Sequence, residues 1–216
     1  MTALTKERFL REIGRHKMTV VCEDGIYRHV RFRRPSTGCM GFDLITWPGT
    51  LCYTGDMGTY VFKRLEDMFQ FFRKPNLDRI DFSYWAEKVE SYDRDGVQRF
   101  SLDVFREKVT DTFKNFADDM EEAERAALWQ RVEEEVLRDP GGYDLDEATA
   151  FRLALEFEHE GRSVFPDFWE RNCREFTLRF LWCCYAMAWG IQQYDAARGR
   201  PGEFFTEEPD HCLDEA

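Results

Sequence analysis

The feature that most constrains the fold is a series of short alternating apolar and polar segments, each followed by a tight-turn signal. The segments span residues 18–22, 26–33, 42–47, 51–54 and 59–62. Asp24-Gly25 favours a two-residue hairpin turn, because both residue types tolerate positive φ. Pro48-Gly49 and the Gly-Asp-Met-Gly sequence at 55–58 supply later turns. The pattern predicts an antiparallel meander of five strands.

Helical signals flank the meander on both sides. Thr5 is a suitable N-cap for a short helix that places Phe9 and Ile13 on one face. After the last strand, Met68, Phe69 and Phe72 recur at helical spacing, and Pro75 ends the segment. Residues 1–75 are therefore predicted to form a helix–meander–helix module.

Only helical periodicity follows from Phe82 onward. Helices are predicted over 83–93, from the N-cap Ser101 to 116, over 121–138, from a capping box of Asp144 and Glu147 to Gly161, and over 166–197. The last helix is apolar on nearly every side, which predicts burial at the centre of a helical bundle. Its apolar stretch, residues 176–191, is short for a bilayer span.

The resulting fold class is α+β. An N-terminal helix–antiparallel β-meander–helix module at 1–75 precedes an acidic all-α helical domain at 76–198. A frayed tail is expected at 199–216.

The charge of the chain is divided along the sequence. Residues 1–75 contain 13 Lys+Arg and 8 Asp+Glu, whereas residues 76–216 contain 17 and 34. A basic first part and an acidic second part indicate two surfaces with different partners.

The acidic part supplies the first candidate site. Carboxylates along a rigid helical surface can imitate a phosphate backbone and occupy a nucleic-acid-binding groove of another protein. Ordinary solvation of helix faces is the simpler explanation of such runs. The candidate partner-binding residues are Asp118, Asp119, Glu121, Glu122, Glu133 and Glu134.

The most basic strand supplies the second candidate. Strand alternation places His29, Arg31 and Arg33 on one face beside Tyr27. Arginine interleaved with aromatic residues can hold phosphates and stack on bases. The alternatives are a charged strand that prevents edge aggregation and an internal contact to the acidic helices. The candidate nucleic-acid-binding residues are Arg28, Arg31, Arg33 and Arg34.

A third candidate is a nucleotide-binding or enzymatic pocket in the meander, lined by Asp43, Trp47, Tyr53, Asp56 and Tyr60. The glycine-rich stretch at 55–59 does not end in the G-K-[ST] of a phosphate-binding loop, so it does not indicate a nucleotide site. Glu156 and His159 have the E-x-x-H spacing of di-iron bundles without a second copy. The sequence therefore favours a non-enzymatic protein without cofactor or metal.

The seven cysteines do not form a C-x-x-C pair. An odd, unpatterned set is typical of reduced thiols, which favours a cytoplasmic location.

Five segments carry a resemblance to a known family: HKMTV at 16–20, YRHVRF at 27–32, FDLITWPG at 42–49, CYTGDMGTYVF at 52–62 and LEDMF at 65–69. The chain is similar over about residues 5–75 to a family of small accessory proteins encoded by tailed phages and prophages of proteobacteria. The resemblance does not bring established catalytic residues with it.

The resemblance implies a phage accessory protein that acts in the host cell, and accessory proteins of this size often act against host defences, including CRISPR systems. The expected function is inhibition of a host defence by binding a protein or ribonucleoprotein complex that handles nucleic acid, through DNA mimicry. Nucleic-acid binding by the N-terminal module, a nucleotide or enzymatic pocket, and homodimerisation stay open as alternatives. A membrane partner is not expected.

Overall fold

The computed structural model describes residues 4–93, 95–138 and 145–199. Two short 3₁₀ turns, Leu77–Arg79 and Phe168–Glu170, accompany the regular elements. In chain order the helices and strands are α1 (Lys6–Ile13), β1 (Lys17–Asp24), β2 (Tyr27–Arg33), β3 (Phe42–Trp47), β4 (Thr50–Gly55), β5 (Gly58–Lys63), α2 (Met68–Phe72), α3 (Phe82–Ala86), β6 (Val89–Tyr92), β7 (Gln98–Phe100), α4 (Leu102–Phe116), α5 (Glu122–Glu135), α6 (Glu147–Glu156), β8 (Glu158–His159), β9 (Arg162–Ser163), β10 (Arg174–Phe176) and α7 (Leu178–Ala197).

The chain divides into two units. Unit 1 combines the residues up to Val97 with those from Thr177 onward, and unit 2 is Gln98–Phe176. Unit 2 is thus inserted into unit 1 between β6 and α7. The division differs from the predicted boundary at residue 75, because α7 belongs with the meander and not with the acidic helices.

Unit 1 is built on a six-stranded antiparallel sheet in the order β1-β2-β3-β4-β5-β6. The turn predicted at Asp24-Gly25 joins β1 and β2, with Gly25 at a φ of 59°. Gly55 permits a close approach, because a Cβ there would lie 2.2 Å from the Gly41 carbonyl oxygen. The sheet confirms the predicted α+β class and the meander, and adds β6 as a sixth strand.

One face of the sheet packs against α7. The Phe32 ring meets Trp189 at 5.4 Å between centroids, and Phe42 meets Trp182 at 5.9 Å. At Gly190 the helix comes so close that a Cβ would lie 3.1 Å from the Leu44 and Phe32 side chains. The apolar centre of α7 is therefore buried as predicted, but by the sheet together with α1, α2 and α3 and not by the acidic helices.

Several predicted bounds in the second part of the chain were wrong. The helix expected over 83–93 ends at Ala86, and the chain continues as β6. The last helix begins after the N-cap Thr177 and not at Pro166. The helix expected to end at Gly161 ends at Glu156, and Gly161 lies in the turn between β8 and β9 at a φ of 73°. In each case the predicted helix was too long, because it included a neighbouring short strand or loop.

Unit 2 contains α4, α5 and α6 with two small ladders, β7–β10 and β8–β9. Ser101 caps α4 as predicted, since its Oγ accepts a hydrogen bond from Val104 N. The core of unit 2 is a separate apolar cluster built around Phe105, Val109 and Phe168. The predicted cap residue Asp144 and the tail from residue 200 lie outside the described residues.

Among the described residues, no helix combines the length and the apolar character needed to cross a membrane.

Candidate functional site

The acidic candidates lie at the two ends of α5. Asp118 and Asp119 follow the C-cap of α4, and Glu121 is the N-cap residue of α5 without a side-chain capping bond. Glu133 and Glu134 belong to the last turn of the same helix. The eleven residue steps from Glu122 to Glu133 separate the two groups by roughly 16 Å along the helix. We call these six residues the acidic surface: Asp118, Asp119, Glu121, Glu122, Glu133 and Glu134.

Every side chain of the acidic surface is exposed. None of the six forms an ion pair with another described residue, and Glu134 only accepts a hydrogen bond from Gln130. Eight other carboxylates of unit 2 lie within 4.0 Å of a Lys, Arg or His nitrogen: Asp103, Glu107, Asp111, Glu124, Glu135, Glu147, Glu156 and Glu175. Asp146, Glu158, Glu160, Asp167 and Glu170 also lie outside these ion pairs. The acidic surface differs from them because its six carboxylates are all carried by α5 and the four residues before it.

Arg28, a basic candidate, points inward and not to solvent. Its guanidinium donates to both carboxylate oxygens of Asp67 at 2.7 and 3.0 Å, and lies 4.8 Å from the Phe69 ring centroid. Burial lowers the pKa of the Arg28 side chain, but the hydrogen bond and charge of Asp67 raise it above its ordinary value. Its side chain is only 10% exposed, so this arginine is structural.

Arg31 and Arg33 lie on the opposite face and converge on Asp43. Arg31 Nε and Arg33 Nη1 are 3.2 and 3.0 Å from Asp43 Oδ1, and His29 Nε2 is 3.2 Å from Asp43 Oδ2. Burial raises the pKa of the Asp43 carboxyl, but the Arg31 hydrogen bond, His29 and the Arg33 charge hold it below its ordinary value. Arg34 lies in the following loop. The basic side chains are thus organised by an aspartate of the meander and not by the acidic helices.

The structure does not bring the five residues of the predicted pocket together. Tyr53 and Tyr60 are fully buried on the face that packs against α7. Asp43 and Trp47 belong to the other face, and Asp56 is exposed in the turn between β4 and β5. The pocket prediction was wrong because strand alternation sends these side chains to opposite sides of the sheet.

The tyrosines and cysteines inside unit 1 are poorly suited to acid–base or nucleophilic chemistry. Tyr60 donates a hydrogen bond to Gly96 O at 3.0 Å, and burial raises its pKa. Burial also raises the pKa of Cys183 and Cys184 well above the ordinary value of a thiol. Since the thiolate is the reactive form, these cysteines pack as small apolar residues.

Glu156 and His159 take separate partners. Glu156 accepts a hydrogen bond from Arg152 at 2.9 Å, and His159 Nε2 lies 3.3 Å from Glu124. Across residues 4–93, 95–138 and 145–199, no group of three or more His, Cys, Asp and Glu side chains is placed to hold a metal ion.

A cleft that the sequence did not indicate lies within unit 2. It has a volume of about 380 Å³ and is bordered by Trp169, which is 63% exposed, and by Phe151. Arg174 closes one side through a bidentate contact with Glu147 at 3.0 and 2.8 Å. The lining carries both charge signs in equal number, so it does not select a ligand by charge.

Comparisons with protein-family models, with curated proteins and with solved structures found no match to this chain.

Proposed function

We propose that the protein is a non-catalytic binding protein, and that its acidic surface occupies a positively charged groove of a partner that otherwise holds nucleic acid. The observation that carries the proposal is the state of the six carboxylates. All six are exposed and outside ion pairs, and all are carried by α5 and the four residues before it, while eight other carboxylates of the same unit have cationic neighbours. A carboxylate without a neighbouring cation in its own chain can form an ion pair with a cation of a partner.

The charge of unit 2 supports the same function. Residues 98–176 contain 11 Lys+Arg and 21 Asp+Glu, a net charge of −10 within 79 residues. A surface of this sign attracts a basic groove over about 8–10 Å at physiological ionic strength. The same charge disfavours direct binding of nucleic acid by unit 2.

The C-terminal end of α5 gives a second line of support. Glu133, Glu134 and Glu135 fill the last turn, which contains no basic residue. Negative charge at a helix C-terminus opposes the helix dipole, at a cost of about 0.3–1 kcal/mol for each group. Arg131 offsets part of this through Glu135, at 2.9 Å. An arrangement that lowers folding stability without a structural gain is typical of a functional surface.

The class of partner comes from the resemblance to phage accessory proteins. On that basis we propose a host-defence complex that handles nucleic acid, with CRISPR effector complexes as the first to test. These effectors hold the guide–target duplex in a positively charged channel, which is complementary to the acidic surface.

The test measures target-DNA binding by a panel of guide-loaded CRISPR effectors, with and without the purified protein, over a series of salt concentrations. We expect the protein to reduce target binding by at least one effector, and the inhibition to weaken as salt rises. The informative variant replaces four residues of the acidic surface, Asp118→Asn, Asp119→Asn, Glu121→Gln and Glu122→Gln. This variant should lose most of the inhibition.

A matched control changes the net charge by the same amount at paired carboxylates: Asp103→Asn, Asp111→Asn, Glu156→Gln and Glu175→Gln. The control should inhibit like the original protein. An equal loss of inhibition in both variants would show that net charge alone is responsible and would contradict a specific role of the acidic surface. Inhibition that does not change with salt concentration would refute mimicry.

A further inference from the structure

The sheet of unit 1 has a second face, opposite α7, with aromatic and basic side chains at its two ends. We call it the outer face. Tyr27 and Trp47 are 53% and 41% exposed. The paired register of β2 and β3 ends at Arg28 and Thr46, so these two aromatic residues lie next to each other just beyond it, on the same face. They place two exposed aromatic side chains at one end of the outer face, beside Asp24, the register partner of Tyr27 in β1.

The other end of the outer face is basic. Lys17 is the register partner of Arg33 in the neighbouring strand, and Arg31 is two residues before Arg33 on the same side. With Asp43 as the local anion, these three cations give the cluster a net charge of +2. Arg31 lies four residues from Tyr27, or roughly 13 Å along β2.

Asp43 positions the two arginines without using all of their donors. Arg31 contacts it through Nε and Nη2, while Arg33 uses Nη1 for Asp43 and for the carbonyl oxygens of Phe32 and Phe42. Within the described part of the chain, Arg31 Nη1 and the Nε and Nη2 groups of Arg33 therefore remain for a ligand. The two arginine side chains are 44% and 42% exposed. Such a fixed pair loses little conformational entropy on binding an anion.

We propose that the outer face binds single-stranded nucleic acid, with bases stacked on Tyr27 and Trp47 and phosphates held by Lys17, Arg31 and Arg33. Exposed aromatic rings beside a basic cluster are the two parts that single-strand binding requires. Open antiparallel sheets elsewhere stack two or three bases on such rings. A duplex would engage only the cations, because its bases are already stacked. This inference concerns unit 1 and is independent of the function proposed for the acidic surface.

Fluorescence anisotropy with the full-length protein tests the proposal. The probes are labelled oligo-dT and oligo-U of about 12 nucleotides, within the usual site sizes, and a duplex of the same length, at about 50 mM salt. We expect binding of at least one single strand in preference to the duplex. Trp47→Ala should weaken it roughly 5- to 150-fold, the range expected for one stacked base. Trp47→Phe, which keeps a ring, should retain most of the affinity.

The basic end has a separate readout. Arg31→Gln and Arg33→Gln should each reduce the slope of log affinity against log salt by about 0.7, the value for one phosphate contact on a single strand. Tyr92→Ala, at an exposed aromatic residue of β6, and Arg152→Gln in unit 2 are the controls and should leave binding unchanged.

Absence of single-strand binding at low salt would overturn the proposal, as would equal affinity for the duplex. It would also be overturned if the two control variants lost as much affinity as the variants of the outer face. Dimerisation that Trp47→Ala abolishes, without oligonucleotide binding, would assign the outer face to a second copy of the chain and would also overturn it. Thermal unfolding of each variant verifies that the fold is intact.

Discussion

At the scale of single residues, Asp43 is the carboxylate that organises the basic end of the outer face. Its side chain is 11% exposed, and His29, Arg31 and Arg33 lie within 3.2 Å of it. Since the pKa of Asp43 in the folded protein is below its ordinary value, the carboxylate stabilises the fold at neutral pH. That stabilisation is present above the unfolded pKa of about 3.9 and is lost as the pH falls through the folded pKa.

We therefore expect Asp43→Asn to lower the free energy of unfolding by about 1 kcal/mol at neutral pH. The difference from the original protein should shrink as the pH falls from about 5 to 3. Urea unfolding at several pH values measures both effects. Asp103→Asn, at a side chain that is 90% exposed, is the control and should have little effect. A difference that stays constant over this pH range would contradict the assignment.

At the scale of elements, the C-terminal part of α7 is fixed to the end of α2 by a buried ion pair. Arg73 Nε and Nη2 donate to the two oxygens of Asp195 at 2.6 and 2.9 Å, with the side chains 18% and 8% exposed. Asp195→Asn leaves the Arg73 charge without its anionic partner in a largely buried site and should cost about 3 kcal/mol of folding stability. Chemical denaturation measures the loss.

The control is Glu156→Gln, which breaks an exposed pair between residues 152 and 156 of α6. It should cost only about 0.3–0.5 kcal/mol. Similar small costs for both substitutions would show that the α7 contact is not an anchor. A double variant, Arg73→Met with Asp195→Leu, should recover part of the stability lost by Asp195→Asn, because the unpaired charge is then absent.

The elements predicted from sequence are those whose signals are local. The Asp24-Gly25 turn and the Ser101 cap each involve a few neighbouring residues, and both are present. The strand β6 was missed because it has four residues and its pairing with β5 is not visible in its own sequence. The packing of α7 on the sheet depends on contacts such as Phe32 with Trp189, 157 positions away, which periodicity does not reveal.

For the candidate sites, too, local features could be predicted from the sequence and features that depend on strand pairing could not. Exposure of the acidic surface was predictable, since charged residues on helices face solvent unless paired. Arg28 was misplaced, although strand alternation already groups it with Val30 and Phe32 on the buried face. The adjacency of Tyr27 and Trp47 could not be predicted, because it depends on the register between β2 and β3.

At the scale of the whole molecule, unit 2 is an insertion whose two ends meet. Val97 O accepts a hydrogen bond from Thr177 N at 3.0 Å, so the chain leaves unit 1 and returns at nearly the same place. Each unit has its own apolar core. Insertions with adjacent ends are tolerated because the host fold does not depend on the inserted chain.

We expect a variant that replaces residues 98–176 with a short glycine linker to fold, since β1–β6 and α7 are all retained. Cooperative thermal unfolding and a near-ultraviolet circular dichroism signal are the measurements. A fragment of residues 1–75, the module expected from the sequence, should not fold, because it lacks α7 and exposes Phe32, Phe42 and Leu44. Folding of this fragment, or failure of the excised variant, would contradict the division into units. The excised variant should also retain oligonucleotide binding and lose inhibition of the effector, because the outer face and the acidic surface belong to different units.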